Sequence, residues 1–254
     1  MALPSPHLAI LAIDTSTQEM SVALHAHGRP HYWQGAGGAQ ASKVLLRQIA
    51  QLLAQAALPM QGLQAIAVGV GPGAFTGLRT ACAVAQGLAL GAGVPVVPVD
   101  SLMLVAEAAW IGQGRSLDGE EVGVVMDARM GELYAARYRR HALGWDVTGE
   151  PALCDPQDLC GRWGGWPRAL AGSGVHLLQG LKEEMVWDAP ERAKALLSLA
   201  QWRFAQGHAV EPEHALPIYL RDKVALTTAQ REALLAHGGA NPHITPPRPM
   251  GPVS

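Results

Sequence analysis

The chain opens twice in the same way. Ile10-Leu11-Ala12-Ile13-Asp14 is an apolar run that ends on an aspartate, and Val124-Val125-Met126-Asp127 repeats the pattern in the second half. Each run is short and continuously apolar, as a strand buried on both faces is. Each is followed by a turn, Thr15-Ser16-Thr17 in the first copy and Ala128-Arg129-Met130-Gly131 in the second, and then by a further strand, Ser21 to Leu24 and Glu132 to Tyr138. A strand–aspartate–hairpin at the head of each half is a mark of internal duplication. It predicts two α/β lobes, residues 1–111 and 112–228, divided at the polar, glycine-containing stretch Gly112 to Glu121.

The first lobe continues with a third strand starting at His31 to Gln34 and a helix capped by Ser42 that runs to about Ala57. Leu45, Ile49, Leu52 and Ala56 fall on one face of that helix, and Pro59 closes it. Ala65 to Val70 reads as a buried strand that enters the loop Gly71-Pro72-Gly73-Ala74-Phe75-Thr76-Gly77. A helix over Leu78 to Leu90, a strand over Pro95 to Val99 and a helix over Leu102 to Trp110 complete the lobe. In the second half, Ala169-Leu170-Ala171 is a strand leading into Gly172-Ser173-Gly174, and residues 191–206 form a helix that is a candidate to pack back on the first lobe. Leu216 to Leu220 is strand-like, and residues 229–254 have the proline- and glycine-rich composition of a disordered tail.

Composition narrows the function classes. Nearly half of the 254 residues are apolar, enough for a sizeable core, and a formal charge of -2 excludes a globally basic nucleic-acid binder. Three cysteines, Cys82, Cys154 and Cys160, make an odd number that argues against a disulfide framework and fits a reducing, cytoplasmic setting. Leu8 to Ile13 lacks the positive flank of a signal peptide. The most apolar stretch, Thr80 to Val99, is interrupted by Pro95, so no membrane span is expected.

Four features bear on chemistry. The strand–glycine loop–helix at Gly71 has the layout of an anion site. It lacks the lysine of a P-loop, because Leu78 follows Gly77, and Pro72 removes an amide donor; a tight structural connection is the preferred reading. Asp14 and Asp127, each ending a core strand, are placed as the paired hairpins of actin-like ATPases place theirs around nucleotide phosphates. The first turn has no glycine and the second carries Arg129 and Met130, so the clamp is expected to be degenerate, with Asp14, Ser16, Gly131 and Gly172 as its candidate remnants. The helix from Leu78 has Arg79 as its one charge and a small-residue stripe at Ala81, Ala85 and Ala89. It is either a central helix covered by its own lobe or one with a face against another subunit. Finally, His27 and His31 have metal-ligand spacing, but Gly28 and Pro30 lie between them, which favours a surface turn over a metal site.

The segment Gly69 to Gly87, with its core Gly-Pro-Gly-Ala-Phe-Thr-Gly-Leu-Arg, resembles the signature of the TsaB family, also called YeaZ. So do Ala12-Ile13-Asp14-Thr15-Ser16, Val125-Met126-Asp127-Ala128-Arg129, Gly131-Glu132-Leu133-Tyr134 and Pro217-Ile218-Tyr219-Leu220-Arg221, in the same order. Where that family commonly has a His-Ser pair at the start of the first helix, this chain has Ala41-Ser42. The resemblance implies an actin-like, duplicated α/β fold in which each lobe is a mixed sheet flanked by helices. It implies a non-catalytic subunit of the bacterial complex that places threonylcarbamoyl on adenosine 37 of tRNA. The catalytic chemistry and metal would belong to a TsaD-like partner, a TsaE-like ATPase would join, and tRNA would be met only through the complex. ATP or ADP would bind weakly or only within the complex, and no metal or catalytic residue is expected here. The helix pair would then be the partner surface, with Ser42, Leu45, Ile49, Thr76, Gly77, Leu78, Arg79, Cys82, Ala85 and Gln86 as candidate contacts, serving either a heterodimer or a competing homodimer. The competing functions are a peptidase and a stand-alone actin-like ATPase.

Overall fold

The structure, a computed structural model, describes residues 8–37, 41–114, 119–141 and 144–221. The first sheet contains β1 (Ile10–Asp14), β2 (Glu19–Ala26), β3 (Arg29–Ala36), β4 (Ala65–Gly71) and β5 (Val96–Asp100), in the order β3-β2-β1-β4-β5. The second contains β6 (Glu121–Asp127), β7 (Leu133–His141), β8 (Gly144–Cys154), β9 (Ala169–Ala171) and β10 (Val186–Trp187), in the order β10-β9-β6-β7-β8. The two orders are the same topology written in opposite directions. In each sheet the Asp-terminated strand is central, its hairpin partner is antiparallel on one side, and a parallel strand lies on the other. The duplication read from Asp14 and Asp127 is therefore a duplication of whole sheets, and the fold is the actin-like, two-sheet α/β architecture. Both sheets lie in one compact unit that ends at Leu220.

Helices α1 (Ala41–Gln55) and α2 (Phe75–Ala92) cover the first sheet. Leu45, Ile49, Leu52 and Leu53 of α1 and Ala81, Cys82, Ala85 and Ala89 of α2 close one core with Leu11, Ile13, Ile66 and Val68. A second core is built around α3 (Ser101–Gly112), whose residues Ser101 to Ala109 are all buried. This helix touches β4 and β5 of the first sheet and β6, β7, β9 and β10 of the second, which is why it is apolar all round. Asp100 caps it, accepting from the amides of Leu102 and Met103. Its one buried charge, Glu107, accepts from Arg140 Nη1 at 3.1 Å, Trp145 Nε1 at 2.7 Å and Ser198 Oγ at 2.6 Å. The last of these lies on α5 (Arg192–Ala205), which packs on β1, β2 and β5 of the first sheet.

Three expectations change. Helix α2 starts at Phe75 rather than Leu78, so Phe75, Thr76 and Gly77 are helical. Strand β8 was not foreseen: Gly149 and Pro151 interrupt its pattern, and it pairs with β7 across register shifts. Leu216 to Leu220 forms no ladder; Ile218 donates one amide bond to Val70 and the segment runs on beside α2. The tail at 229–254 lies outside the described residues.

Candidate functional site

The Asp14 turn is shut from water. Asp14, Thr15 and Ser16 are almost wholly buried, and Asp14 itself is 0% exposed. Its Oδ2 accepts from Ser16 Oγ at 2.9 Å and from Arg192 Nη2 at 2.9 Å, and Arg192 Nη2 also donates to Ser16 Oγ at 3.2 Å. Arg192 comes from the first turn of α5 and is itself buried. Burying a carboxylate is costly without a cation and hydrogen bonds beside it, and this chain supplies both from its own side chains. Cys82 lies close by. Burial, reinforced by the charge of Asp14, pushes its thiol up to about 11.

The glycine loop is fitted against the same turn. A Cβ on Gly69 would overlap the Asp14 carboxylate, one on Gly73 the Ser16 carbonyl, and one on Gly77 the Thr15 carbonyl. Thr15 Oγ1 donates to the Gly77 carbonyl at 2.6 Å, and the Ala74 amide donates to the Ser16 carbonyl at 2.7 Å. The Gly71 amide is taken by Ser101 Oγ. The glycines thus allow backbone to meet backbone between the loop and the first hairpin. That accounts for the loop without a phosphate.

The second hairpin is built differently. Arg129, Met130 and Gly131 are consecutive residues with φ of 67°, 58° and 77°, in an exposed turn. Asp127 accepts from the Arg129 amide at 2.7 Å and its own amide donates to Ser173 Oγ. Gly172, at φ 115°, lies against the Val125 carbonyl, where a Cβ has no room. Of the four proposed remnants of a nucleotide clamp, Asp14 and Ser16 are brought together, in the buried cluster with Arg192. Gly131 and Gly172 belong to the second sheet. Arg192 was missed in the sequence because nothing local to it marks it; its partner lies 178 positions away.

The proposed partner face needs correction. Leu45, Ile49, Leu78, Cys82 and Ala85 are core residues, each no more than 2% exposed, and cannot be contact residues while the lobe is folded. The apolar stripe of α2 meets its own sheet. Gln86 is half-buried and donates to the Ala215 carbonyl, and Gly77 is held against Thr15. Exposed residues on these helices include Ser42, Lys43, Leu46 and Arg47 on α1, and Phe75, Thr76, Arg79, Ala83, Gly87 and Leu90 on α2. Arg79 is the fixed point of this face. Its guanidinium carbon lies 3.8 Å from the Phe75 ring centroid, and its Nε donates to Tyr219 Oη at 2.9 Å. The two rings are 5.2 Å apart and tilted by 38°.

His27 occupies the β2–β3 turn at φ 50° and His31 lies in β3, so the helical spacing of ligands does not arise. Among the described residues no three His, Cys, Asp or Glu side chains are grouped to hold a metal, and no helix is long and apolar enough to cross a membrane.

Comparison with known proteins gives a consistent picture. The family model described as "TsaD: tRNA N6-adenosine threonylcarbamoyltransferase" matches residues 38–173. The chain is 36% identical over 233 residues to the "tRNA threonylcarbamoyladenosine biosynthesis protein TsaB" of Escherichia coli K12, covering 86% of this chain and 96% of that one. It is 31% identical to the protein of the same name from Haemophilus influenzae, covering 86% and 95%. Among solved structures it is similar to YeaZ from Pseudomonas aeruginosa, with a TM-score of 0.71 and 33% identity, covering 84% of this chain and all of that one.

Proposed function

The chain belongs to the TsaB (YeaZ) family, and on that premise we propose that it is a non-catalytic subunit required for threonylcarbamoylation of adenosine 37 in tRNA. It acts by binding a TsaD-type catalytic subunit in the cytoplasm, in a complex joined by a TsaE-type ATPase, and meets tRNA only through that complex. The observation that carries this reading is the buried Asp14–Ser16–Arg192 cluster. The carboxylate that would serve a nucleotide-bound cation already pairs with the protein's own guanidinium. Reopening it would strand a buried charge, at a cost of about 3–5 kcal/mol. ATP and ADP therefore bind weakly to the isolated chain, or only within the complex. The exposed side of α1 and α2 is the partner surface, and a homodimer through the same side would compete with the heterodimer.

The test is reconstitution. A TsaD-type subunit, a TsaE-type ATPase, tRNA and an activated threonylcarbamoyl donor are combined with and without this chain, and the modified nucleoside is measured by mass spectrometry. Modification is expected only when this chain is present, and none with this chain alone. Full modification in its absence, or turnover by the purified chain alone, defeats the reading.

A further inference from the structure

We infer that α5 is a tie-rod by which the second sheet holds the Asp14 turn of the first sheet shut. The Glu107 cluster sets the position of the helix, and the helix sets whether Arg192 reaches Asp14. This coupling belongs to the chain by itself and needs no partner. The chain leaves the first sheet through α3, builds the second sheet and the short helix α4 (Leu159–Arg162), and returns after β10 as α5. That last helix packs on β1, β2 and β5 of the first sheet. Side chains along β1 alternate between two cores. Leu11 and Ile13 belong to the core closed by α1 and α2, whereas Ile10 and Ala12 share the other with α3, α5 and the second-sheet residues Val122 and Val124.

Within that shared core α5 is tied to two buried carboxylates. At its first turn Arg192 donates to Asp14 Oδ2 and Ser16 Oγ. Nearly two turns further on, about 9 Å along the axis, Ser198 Oγ donates to Glu107 Oε1 at 2.6 Å. The other oxygen of Glu107 accepts from Arg140 of β7 at 3.1 Å and from Trp145 of β8 at 2.7 Å. One carboxylate is therefore bound by α5 on one oxygen and by the second sheet on the other. Farther along the helix, the Trp202 indole lies against Gly144, the first residue of β8, where a Cβ would overlap it.

Two features make this a coupling rather than plain packing. A hydrogen bond of this length fails with a shift of about 1 Å. A small slide of α5, of the kind packed helices make in shear motions, therefore frees Asp14 without unpacking the core. The seat of α5 also leaves polar groups unmet. Arg192 Nε, Gln201 Nε2, Trp202 Nε1 and Arg203 Nε are buried with no hydrogen-bond partner among the described residues. Unmet donors cost free energy and favour a shift, which the bonds to Asp14 and Glu107 oppose. A substitution or a bound molecule that disturbs Arg140 or Trp145 on β7 and β8 is then felt at the Asp14 turn.

The experiment is hydrogen exchange with mass spectrometry on the purified full chain. It reads the peptide over Asp14 to Glu19, with β4 as the internal standard for global opening. Ser198→Ala cuts the tie to Glu107 and touches neither Asp14 nor Arg192. Trp145→Phe keeps a ring and removes the donor on the second-sheet side. Each should speed exchange in the Asp14 turn about 5-fold or more, with β4 held within about 2-fold. In the Ser198→Ala background, the cycle of Asp14→Asn and Arg192→Met should lose about 5-fold or more of its coupling, read as a ratio of unfolding constants. Thr148→Ala removes a bond of similar length from β8 to Glu121, away from α5, and should change neither readout. Circular dichroism checks the fold, and if Trp145→Phe unfolds, Ser198→Ala decides. A helix held by packing alone gives the opposite result: Ser198→Ala gains helix propensity and leaves the turn and the cycle unchanged. That result, a folded Trp145→Phe chain with wild-type exchange in the turn, or an equal response to Thr148→Ala overturns the inference. None of these outcomes touches the accessory role, which reconstitution reads separately.

Discussion

Replacing Arg192 by Met tests whether the Asp14 site is closed by charge pairing. The methionine keeps much of the apolar stem's volume and removes the guanidinium that donates to Asp14 Oδ2 at 2.9 Å and to Ser16 Oγ at 3.2 Å. Asp14, at 0% exposure, is then left with Ser16 as its only polar partner among the described residues. Breaking a buried ion pair from one side costs about 3–5 kcal/mol. In a chain of this size each kcal/mol moves Tm by about 2–4 °C, so the variant should melt roughly 6–20 °C lower. Adding Asp14→Asn removes the stranded charge, and the double variant should recover most of the loss, giving a coupling energy above about 2 kcal/mol. The assay is urea unfolding followed by tryptophan fluorescence and circular dichroism on all four members of the cycle. A single variant that costs under about 1 kcal/mol, or a double variant whose cost is the sum of the singles, refutes the argument that this pair is what closes the site.

Four further outcomes are expected. Gly77→Ala drives a Cβ into the Thr15 carbonyl and should cost about 1–3 kcal/mol, whereas Gly87→Ala, with open space around it, should raise stability by up to about 1 kcal/mol; thermal melts of the two separate a packing role from a generic helix effect. Ala85→Glu should yield an unfolded or aggregated protein, since Ala85 is core, while the exposed Ala83→Glu should keep the wild-type dichroism spectrum and lose partner binding. Cys82, its thiol pushed up to about 11, and Cys154, raised mainly by burial, should resist alkylation near pH 8 in the folded chain, with the half-buried Cys160 reacting first and the others only in denaturant, as mass spectrometry would record. Burial, the largest influence on Asp100, holds its carboxyl above the usual range, so the stability it contributes is present at low pH and lost as pH rises through its folded value. Asn at that position still caps α3, so Asp100→Asn should gain stability relative to wild type as pH rises above the ordinary carboxylate range, read as a growing difference in urea midpoints.

Local pattern and tertiary placement divided the description of this protein between them. The continuous apolarity of Ile10 to Asp14 and Val124 to Asp127, the 3.6-residue spacing of Leu45, Ile49 and Leu52, and the glycines around Phe75 are properties of short windows. Read alone they led to the strands, the helices, the duplication and the family. They were silent on which side of a helix meets which neighbour. Helices α2 and α3 both read as apolar, yet α3 is covered by both sheets, while α2 has one sheet beneath it and an open face above. The Leu78, Cys82 and Ala85 stripe belonged to the core for that reason, and the surface was left to Arg79, Ala83 and Gly87. The Asp14–Arg192 pair and the Phe75–Arg79–Tyr219 stack join segments 178 and 140 positions apart. No periodicity reaches across such gaps. Burial and charge pairing act between neighbours in space, and only the folded chain decides which residues those are.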